Sequence, residues 1–323
     1  ITPAHDFNDF EVGRRHDLEM INIFDTEARI NENAPEKYRG MDRFDAREMI
    51  VADMDAGGYL NRVEEQLHAV PFGDRGGVPI EPYLTKQWYV DAKTLAKPAI
   101  EAVEQGKVKF VPANWDKTYF EWIRNIQPWC ISRQLWWGHQ IPAWYGPDGE
   151  IFVSLDEAGA LKAAEAHYGK ATPLTQDEDV LDTWASSWLW PFATLGWPDS
   201  KEDLKKDLEF FYPTSVLATG FDIIFLWVAR MIMAGLEFMG EEKETLTDDE
   251  LRERIPFKDV YVTGLIRDEK GRKMSKSLGN SPDPLDLIAK YGADGVRFGI
   301  INIAPSGQDI LFSEERIEIG RNF

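Results

Sequence analysis

The sequence predicts an α/β fold built on a parallel sheet, and three observations carry that expectation. Helical stretches such as 91–105 and 156–168 alternate with short β-rich runs, "EIFVS", "TSVLATG" and "DVYVTG". The run 214–220 ends in Gly220 and passes directly into an apolar helical tract, as a strand feeding a crossover does. With 323 residues, 43% of them hydrophobic, the chain is long enough for two or more cores.

Along the chain, residues 1–42 mix short apolar stretches with turn residues. Ala46, Met49, Ile50 and Met54 then recur at helical spacing over 42–56, before Gly57 and Gly58 stop the helix. From Tyr59 to Val90 the pattern shortens and gathers Pro and Gly ("VPFGDRGGVPIEP"), which predicts strands and an interdomain connection, with a boundary near residue 80. The tract 223–238 is interrupted by Arg230 and Glu237, so it falls short of the roughly 20 apolar residues of a membrane span and reads as one buried helix. Near the end, Asp283 stands at an N-cap, Pro284 at the first helical position and Gly292 past the close, with a second helix after Asp294. The expected division is 1–80, 81–280 and a helical layer at 281–323.

Composition narrows the function. A single cysteine, Cys130, excludes an intrachain disulfide and a paired-cysteine metal knuckle, and with no targeting peptide it points to a cytoplasmic protein without a membrane partner. A net charge of −20 argues against broad nucleic-acid binding, so any such partner must meet local patches, such as Arg14 with Arg15 or the lysines of the segment 271–280. The opening Ile-Thr-Pro, without Met, points to a piece of a longer polypeptide.

Two constellations carry chemistry. Gly220 and Asp222 fall at the carboxyl end of a predicted strand, where open α/β sheets bind ligands: glycine admits a ligand to the backbone, and the carboxylate can hold ribose hydroxyls. Taken alone, the pair reads more readily as a strand-end glycine and a helix cap. "GRKMSKSLGN" follows a second strand, "VYVTG", and sets Arg272, Lys273 and Lys276 with Ser275 and Ser277 between Gly271 and Gly279. Lysine is a mobile point charge suited to the shifting charge of a polyphosphate. Two strands in one sheet would bring both constellations to one edge.

"KMSKS" resembles the second signature of class I aminoacyl-tRNA synthetases. "WCISRQLWWGHQIPAWY", "DEDVLDTWASSWLWPFATLGWP" and "YPTSVLATGFDIIFLWVARMIM" resemble the valine-specific members, and the isoleucyl and leucyl enzymes share the "ISRQ…WG" theme. The resemblance covers nearly the whole chain and implies the second half of a Rossmann-type parallel-sheet catalytic domain. It implies, in addition, the carboxyl-terminal part of a β-rich editing insertion before it and the start of an α-helical stem region after it.

The chemistry so implied is activation of valine by ATP, carried as Mg2+-ATP, and transfer of the valyl group to tRNA(Val), with no protein partner. No protein nucleophile is needed, so catalysis rests on positioning and charge stabilisation. By the family's pattern Lys276 contacts ATP, Lys273, Met274 and Ser275 support the same nucleotide, and Gly220 and Asp222 hold the ribose side. Trp184, Trp227 and Ile223 match the valine pocket. Plain core is the other reading for both tryptophans, and the expected one for Trp188, Trp190 and Trp197.

A hydrophobic pocket barely resists an isostere bearing a hydroxyl, a limit for which the valine enzyme facing threonine is the standard example. Editing is therefore implied: in "ITPAHDFNDFEVG" Asp9 matches the carboxylate that grips the α-ammonium of a misattached amino acid, with His5 and Asp6 as further pocket residues. An acidic turn with a structural histidine is the competing reading.

The chain departs from the family in three places. The His-x-Gly-His signature is absent, because the five histidines are His5, His16, His68, His139 and His167. The threonine-rich part of the editing pocket is missing as well. Where some members carry paired cysteines, this chain has Gly73, Gly76, Gly77 and Gly146, so zinc is not expected. These departures imply an incomplete piece that is inactive by itself. The alternatives are a free-standing editing deacylase, an isoleucyl or leucyl enzyme, or a module that keeps the fold without the chemistry.

Overall fold

The computed structural model describes residues 1–73, 76–198, 201–241, 243, 245–275, 278–305 and 307–323. The chain divides into two compact units, Ile1–Lys86 and Gln87–Phe323, six residues beyond the division expected near residue 80.

In the first unit, α1 (Phe7–His16) begins at Asp6, whose carboxylate accepts the amides of Asn8 and Asp9. α2 (Arg43–Ala56) begins at Asp42, which caps Phe44 in the same way. Ile30, Ala34 and Ala46 form its small buried core. The strands expected over Tyr59–Val90 do not form across that stretch: apart from a bridge between Phe72 and Pro79 and the two-residue strand Tyr89–Val90, its described residues have irregular backbone. Proline removes ladder donors and glycine adds backbone entropy, which short apolar runs without a covering face do not offset.

The second unit is built along the chain from α3 (Ala92–Glu104, capped by Asp91), β1 (Lys109–Val111), α4 (Trp115–Arg124), α5 (Thr183–Ser187), β2 (Thr214–Gly220), α6 (Ala229–Phe238), α7 (Asp248–Arg254) and β3 (Phe257–Thr263). The three strands form one parallel sheet with β3 in the centre, flanked by β1 and β2. The register pairs Val260 with both Phe110 and Leu217, and Thr263 with Gly220, so the carboxyl ends of β2 and β3 are level. Helix α6 is buried from Ala229 to Leu236, and with α3 it closes an apolar core that includes Val260, Val262, Met231 and Ile232.

The apolar tract after β2 is not one helix. A 3-10 turn, Phe221–Ile223, leads into a wide π turn, Ile224–Val228, before regular α6 begins. A π turn inserts one extra residue per turn, and such turns recur at functional sites.

After β3 the chain continues as β4 (Ile266–Arg267), the lysine-rich loop, α8 (Pro284–Tyr291), α9 (Ala293–Asn302), β5 (Ile310–Leu311) and α10 (Glu314–Asn322). β4 and β5 pair in parallel, and Leu287, Tyr291, Val296, Phe312 and Ile317 form a separate small core. A distinct antiparallel piece, Ala143–Tyr145 with Ile151–Val153 and Thr175–Gln176, packs on the helix Glu157–Tyr168 around Trp144 and Phe152. Among the described residues no helix is long and apolar enough to cross a membrane.

Candidate nucleotide and amino-acid site

The first constellation stands at the tip of β2, level with the end of the strand that leads on to the second. Gly220 closes β2 directly beside Thr263 of β3. A Cβ added to Gly220 would lie 2.7 Å from Asp222 Oδ1 and 3.3 Å from Leu265 Cδ2, so glycine is what lets this corner close. Asp222 sits in the 3-10 turn just beyond, half-buried, and among the described residues its carboxylate has neither ion pair nor hydrogen bond. A glycine corner next to an unpaired carboxylate at a strand tip fits a polyhydroxyl group such as a ribose.

Beyond β3 the backbone is pressed against the segment before β5. A Cβ on Gly264 would fall 1.6 Å from the carbonyl oxygen of Gln308. Asp309 accepts the Leu265 amide at 3.0 Å and pairs with Arg267, which fixes the base of the lysine-rich loop. The loop turns on Asp268, whose carboxylate accepts the amides of Lys270 (3.1 Å) and Arg272 (2.8 Å), Arg272 Nε (2.8 Å) and Asn280 Nδ2 (2.9 Å). The Asn280 side chain leads the Asp268 donors in holding this carboxyl at about 2, well below its ordinary value. An open cleft of about 580 Å³ lies against the loop, lined by Asp268, Arg272, Met274, Asn280, Phe312 and Glu314 among others.

Lys273 is exposed, bridges antiparallel to Arg267 and accepts Asn280 Nδ2 at its carbonyl. The half-buried Met274 side chain packs against the small core of Leu287, Tyr291 and Phe312. The Ser275 amide donates to Asn280 Oδ1 at 2.9 Å. Lys276, the residue expected to contact ATP, lies outside the described residues, as does Ser277.

On the other side, Trp184 and Trp227 are half-buried and pack on the main core. Trp227 Nε1 donates to the Ser187 carbonyl at 2.9 Å, tying the π turn to α5, and Ile223 ends the 3-10 turn before it. Asp182 caps α5 by accepting the Trp184 amide at 2.8 Å and pairs with Arg133. Buried Arg230 lies 3.8 Å over the Trp129 ring, and burial pulls its guanidinium down to about 10 while the nearby Asp182 charge opposes the fall. Of the remaining tryptophans, Trp188 is buried and Trp197 packs on the core, but Trp190 is 61% exposed, so the core expectation fails for it. It shares a short helix with buried Pro191 and Phe192, and those two neighbours occupy the inward face.

The roles of Arg133, Asp182, Asp268 and Asn280 were not visible from the sequence. Their types are ordinary, and each acts through a partner distant along the chain or across a loop. The motif strings that contain them, "ISRQ", "LDTW", "LIRDEKG" and "SLGN", are the only signal.

In the first unit, His5 engages both ring nitrogens: Nδ1 is 2.9 Å from the Pro82 carbonyl and Nε2 is 2.9 Å from the Ile23 amide. A carbonyl needs a donor and an amide an acceptor, so the ring carries its proton on Nδ1. Asp6 is the α1 cap, and Asp9 accepts the Thr2 amide at 2.6 Å, a bond that leads in holding its carboxyl low. Among the described residues no group of three or more His, Cys, Asp or Glu is arranged to hold a metal ion.

Level parallel strand tips, with a glycine and a half-buried carboxylate at one and a braced lysine-rich loop after the other, define an α/β domain whose candidate site lies at the carboxyl edge of its sheet. A family profile described as "tRNA synthetases class I (I, L, M and V)" matches residues 5–313. The chain belongs to that family. It is 58% identical over its full length to a valine--tRNA ligase of Caulobacter vibrioides and 56% identical to one of Pelagibacter ubique, and it covers 34% and 35% of those proteins. The chain thus spans about a third of the length of the curated relatives it matches. A methionyl-tRNA synthetase of Mycobacterium tuberculosis, solved with methionyl-adenylate, shares the fold with a TM-score of 0.53 at 19% identity, covering 80% of this chain and 41% of that one.

Proposed function

We propose that this region belongs to a valine--tRNA ligase and supplies half of its activation site. ATP, taken as Mg2+-ATP, lies across the tips of β2 and β3. Gly220 and Asp222 take its ribose side, while Lys273 and Lys276, with the backbone at Met274 and Ser275, meet the phosphates. The valine carboxylate attacks the α-phosphate, pyrophosphate leaves with the β- and γ-phosphorus atoms, and the valyl group then passes from the adenylate to the 3′ end of tRNA(Val). Lysine charge here stabilises the leaving pyrophosphate, and the strand tips hold the reactants in line. Trp184, Trp227 and Ile223 wall the valine side chain. The single observation that carries the reading is the level register of Gly220 and Thr263, which sets the carboxylate corner beside the end of the strand that leads on to the lysine loop.

The same reading makes residues 1–80 part of an editing insertion in which Asp9 grips the ammonium of misattached threonine. It makes 281–323 the start of a helical stem contact and places the enzyme in the cytoplasm, without zinc. Asp9 already serves as an acceptor for a backbone N–H at Thr2, the geometry an ammonium donor would take over. His5, with both nitrogens engaged, acts in the proposed pocket as a support.

The test is valine-dependent ATP–pyrophosphate exchange by an intact enzyme carrying this region. Lys276→Ala is expected to lower kcat by about 100-fold or more, the scale of losing one charge-stabilising contact, with little change in valine KM. Full exchange in that variant would remove Lys276 from the mechanism. Threonine release from Thr-tRNA, compared between the parent and Asp9→Ala, tests the editing assignment, and equal rates would end it.

A further inference from the structure

We propose that Asn280 is a positioning residue for the nucleotide: its carboxamide clasps together the two stems of the lysine-rich loop and so sets where Lys273 stands. The inference rests on the reading of that loop as the phosphate side of the site.

The clasp is made of three bonds from one side chain. Asn280 Nδ2 donates to Asp268 Oδ2 at 2.9 Å and to the Lys273 carbonyl at 3.2 Å, and Asn280 Oδ1 accepts the Ser275 amide at 2.9 Å. Only one orientation of the amide satisfies all three, because a carboxylate and a carbonyl need a donor while an amide N–H needs an acceptor. In sequence, Lys276 lies between Ser275 and Asn280, the two ends of the clasped span. On the incoming stem, Asp268 is immobilised by the amides of Lys270 and Arg272 and by the Arg272 side chain. Met274 pins the middle by packing on Leu287, Tyr291 and Phe312. The loop is thus anchored at its base, at Met274 and across its neck. Of these anchors the neck alone joins the incoming stem of the loop directly to its outgoing stem.

An aspartate at 280 offers no donor and would face Asp268 as a like charge, whereas exchanging the two residues restores a donor–carboxylate pair with the polarity reversed. This gives a test that general loss of structure does not mimic. In the intact enzyme, Asn280→Ala and Asn280→Asp are expected to lower kcat of valine-dependent pyrophosphate exchange about 10- to 100-fold, the cost of misplacing reacting groups by about 1 Å, and to leave valine KM within about twofold. The exchanged pair Asp268→Asn with Asn280→Asp is expected to recover part of the loss of Asn280→Asp. In this chain, hydrogen exchange of the Ser275 amide is expected to quicken at least about tenfold in Asn280→Ala, with the amides of β3 unchanged.

Unchanged kcat in both single variants overturns the proposal, as does a rise in valine KM that accounts for the whole loss. If the parent enzyme shows no valine-dependent exchange, the functional reading fails instead. The clasp is then judged on Ser275 alone, and unaltered protection of that amide overturns it.

Discussion

The two sides of the candidate site are held by different physics. The tryptophan side is part of the main core: Trp184 and Trp227 pack on buried side chains, and the α5 cap, the Arg133–Asp182 pair and the Trp227–Ser187 bond lock them from behind. The lysine side stands on a five-residue core of its own and is shaped by hydrogen bonds that converge on Asp268 and Asn280. On the proposed reading the indoles wall a side-chain pocket, and such a wall needs close packing because a pocket that yields loses discrimination. The loop is held instead by individual hydrogen bonds, worth about 1 kcal/mol each, so single side chains there can be exchanged at small cost to the main core.

This contrast predicts a graded set of effects. The largest belongs to Asp182→Ala, which strips the partner from Arg133, weakens the field that offsets the burial of Arg230 and removes the α5 cap. Destabilisation of about 3 kcal/mol, read as a lower urea midpoint for the second unit, is expected from losing a helix cap and leaving buried Arg230 without its compensating charge. Trp227→Ala is expected to cost about 2–3 kcal/mol, less than a fully buried indole because the ring is half-buried, and to weaken selection against larger or smaller amino acids in an exchange assay.

On the loop side, Met274→Ala is expected to cost about 1 kcal/mol and to leave the main transition unmoved. Its effect should be confined to faster amide exchange in 268–280 and the helices of the small core. A global loss comparable to that of Trp227→Ala would show that the two cores unfold as one and would erase the contrast.

The mildest effect is titration of Asp268. Its folded value lies below the ordinary 3.8, so the carboxylate's contribution is complete above about pH 4 and is lost as pH falls toward 2. Ser275 and Arg272 amide signals followed by NMR should move in that window, ahead of those in β3. Movement only above pH 5 would point to a different group.

Much of the framework was legible from local pattern. The start of α8 was read from Asp283, because a capping carboxylate acts within three residues of its own position, and α2 and α3 were read from helical stretches placed at 42–56 and 91–105. β2 and β3 were read from β-branched runs that end in glycine or threonine. The strands expected between Tyr59 and Val90 did not form across that stretch, because the Pro and Gly that shortened the pattern disfavour a ladder, and Trp190 turned outward, because that reading took apolar content as sufficient without knowing which face its neighbours would bury. The single helix expected over 223–238 broke into a 3-10 turn, a π turn and a helix. That choice depends on how Trp227 reaches Ser187, a contact between segments far apart in sequence.

By itself, then, the sequence determined the kinds of element, their order, the motif strings and through them the family, since caps, periodicity and signature residues are encoded within a few positions of one another. Only the tertiary structure decided that Gly220 and Thr263 stand level, that Asp182 meets Arg133 behind the indole wall, and that Asn280 closes the neck of the lysine loop. Register and side-chain pairing are set by the whole packed core, where each contact is selected against every competing arrangement, and no local stretch of residues contains that information.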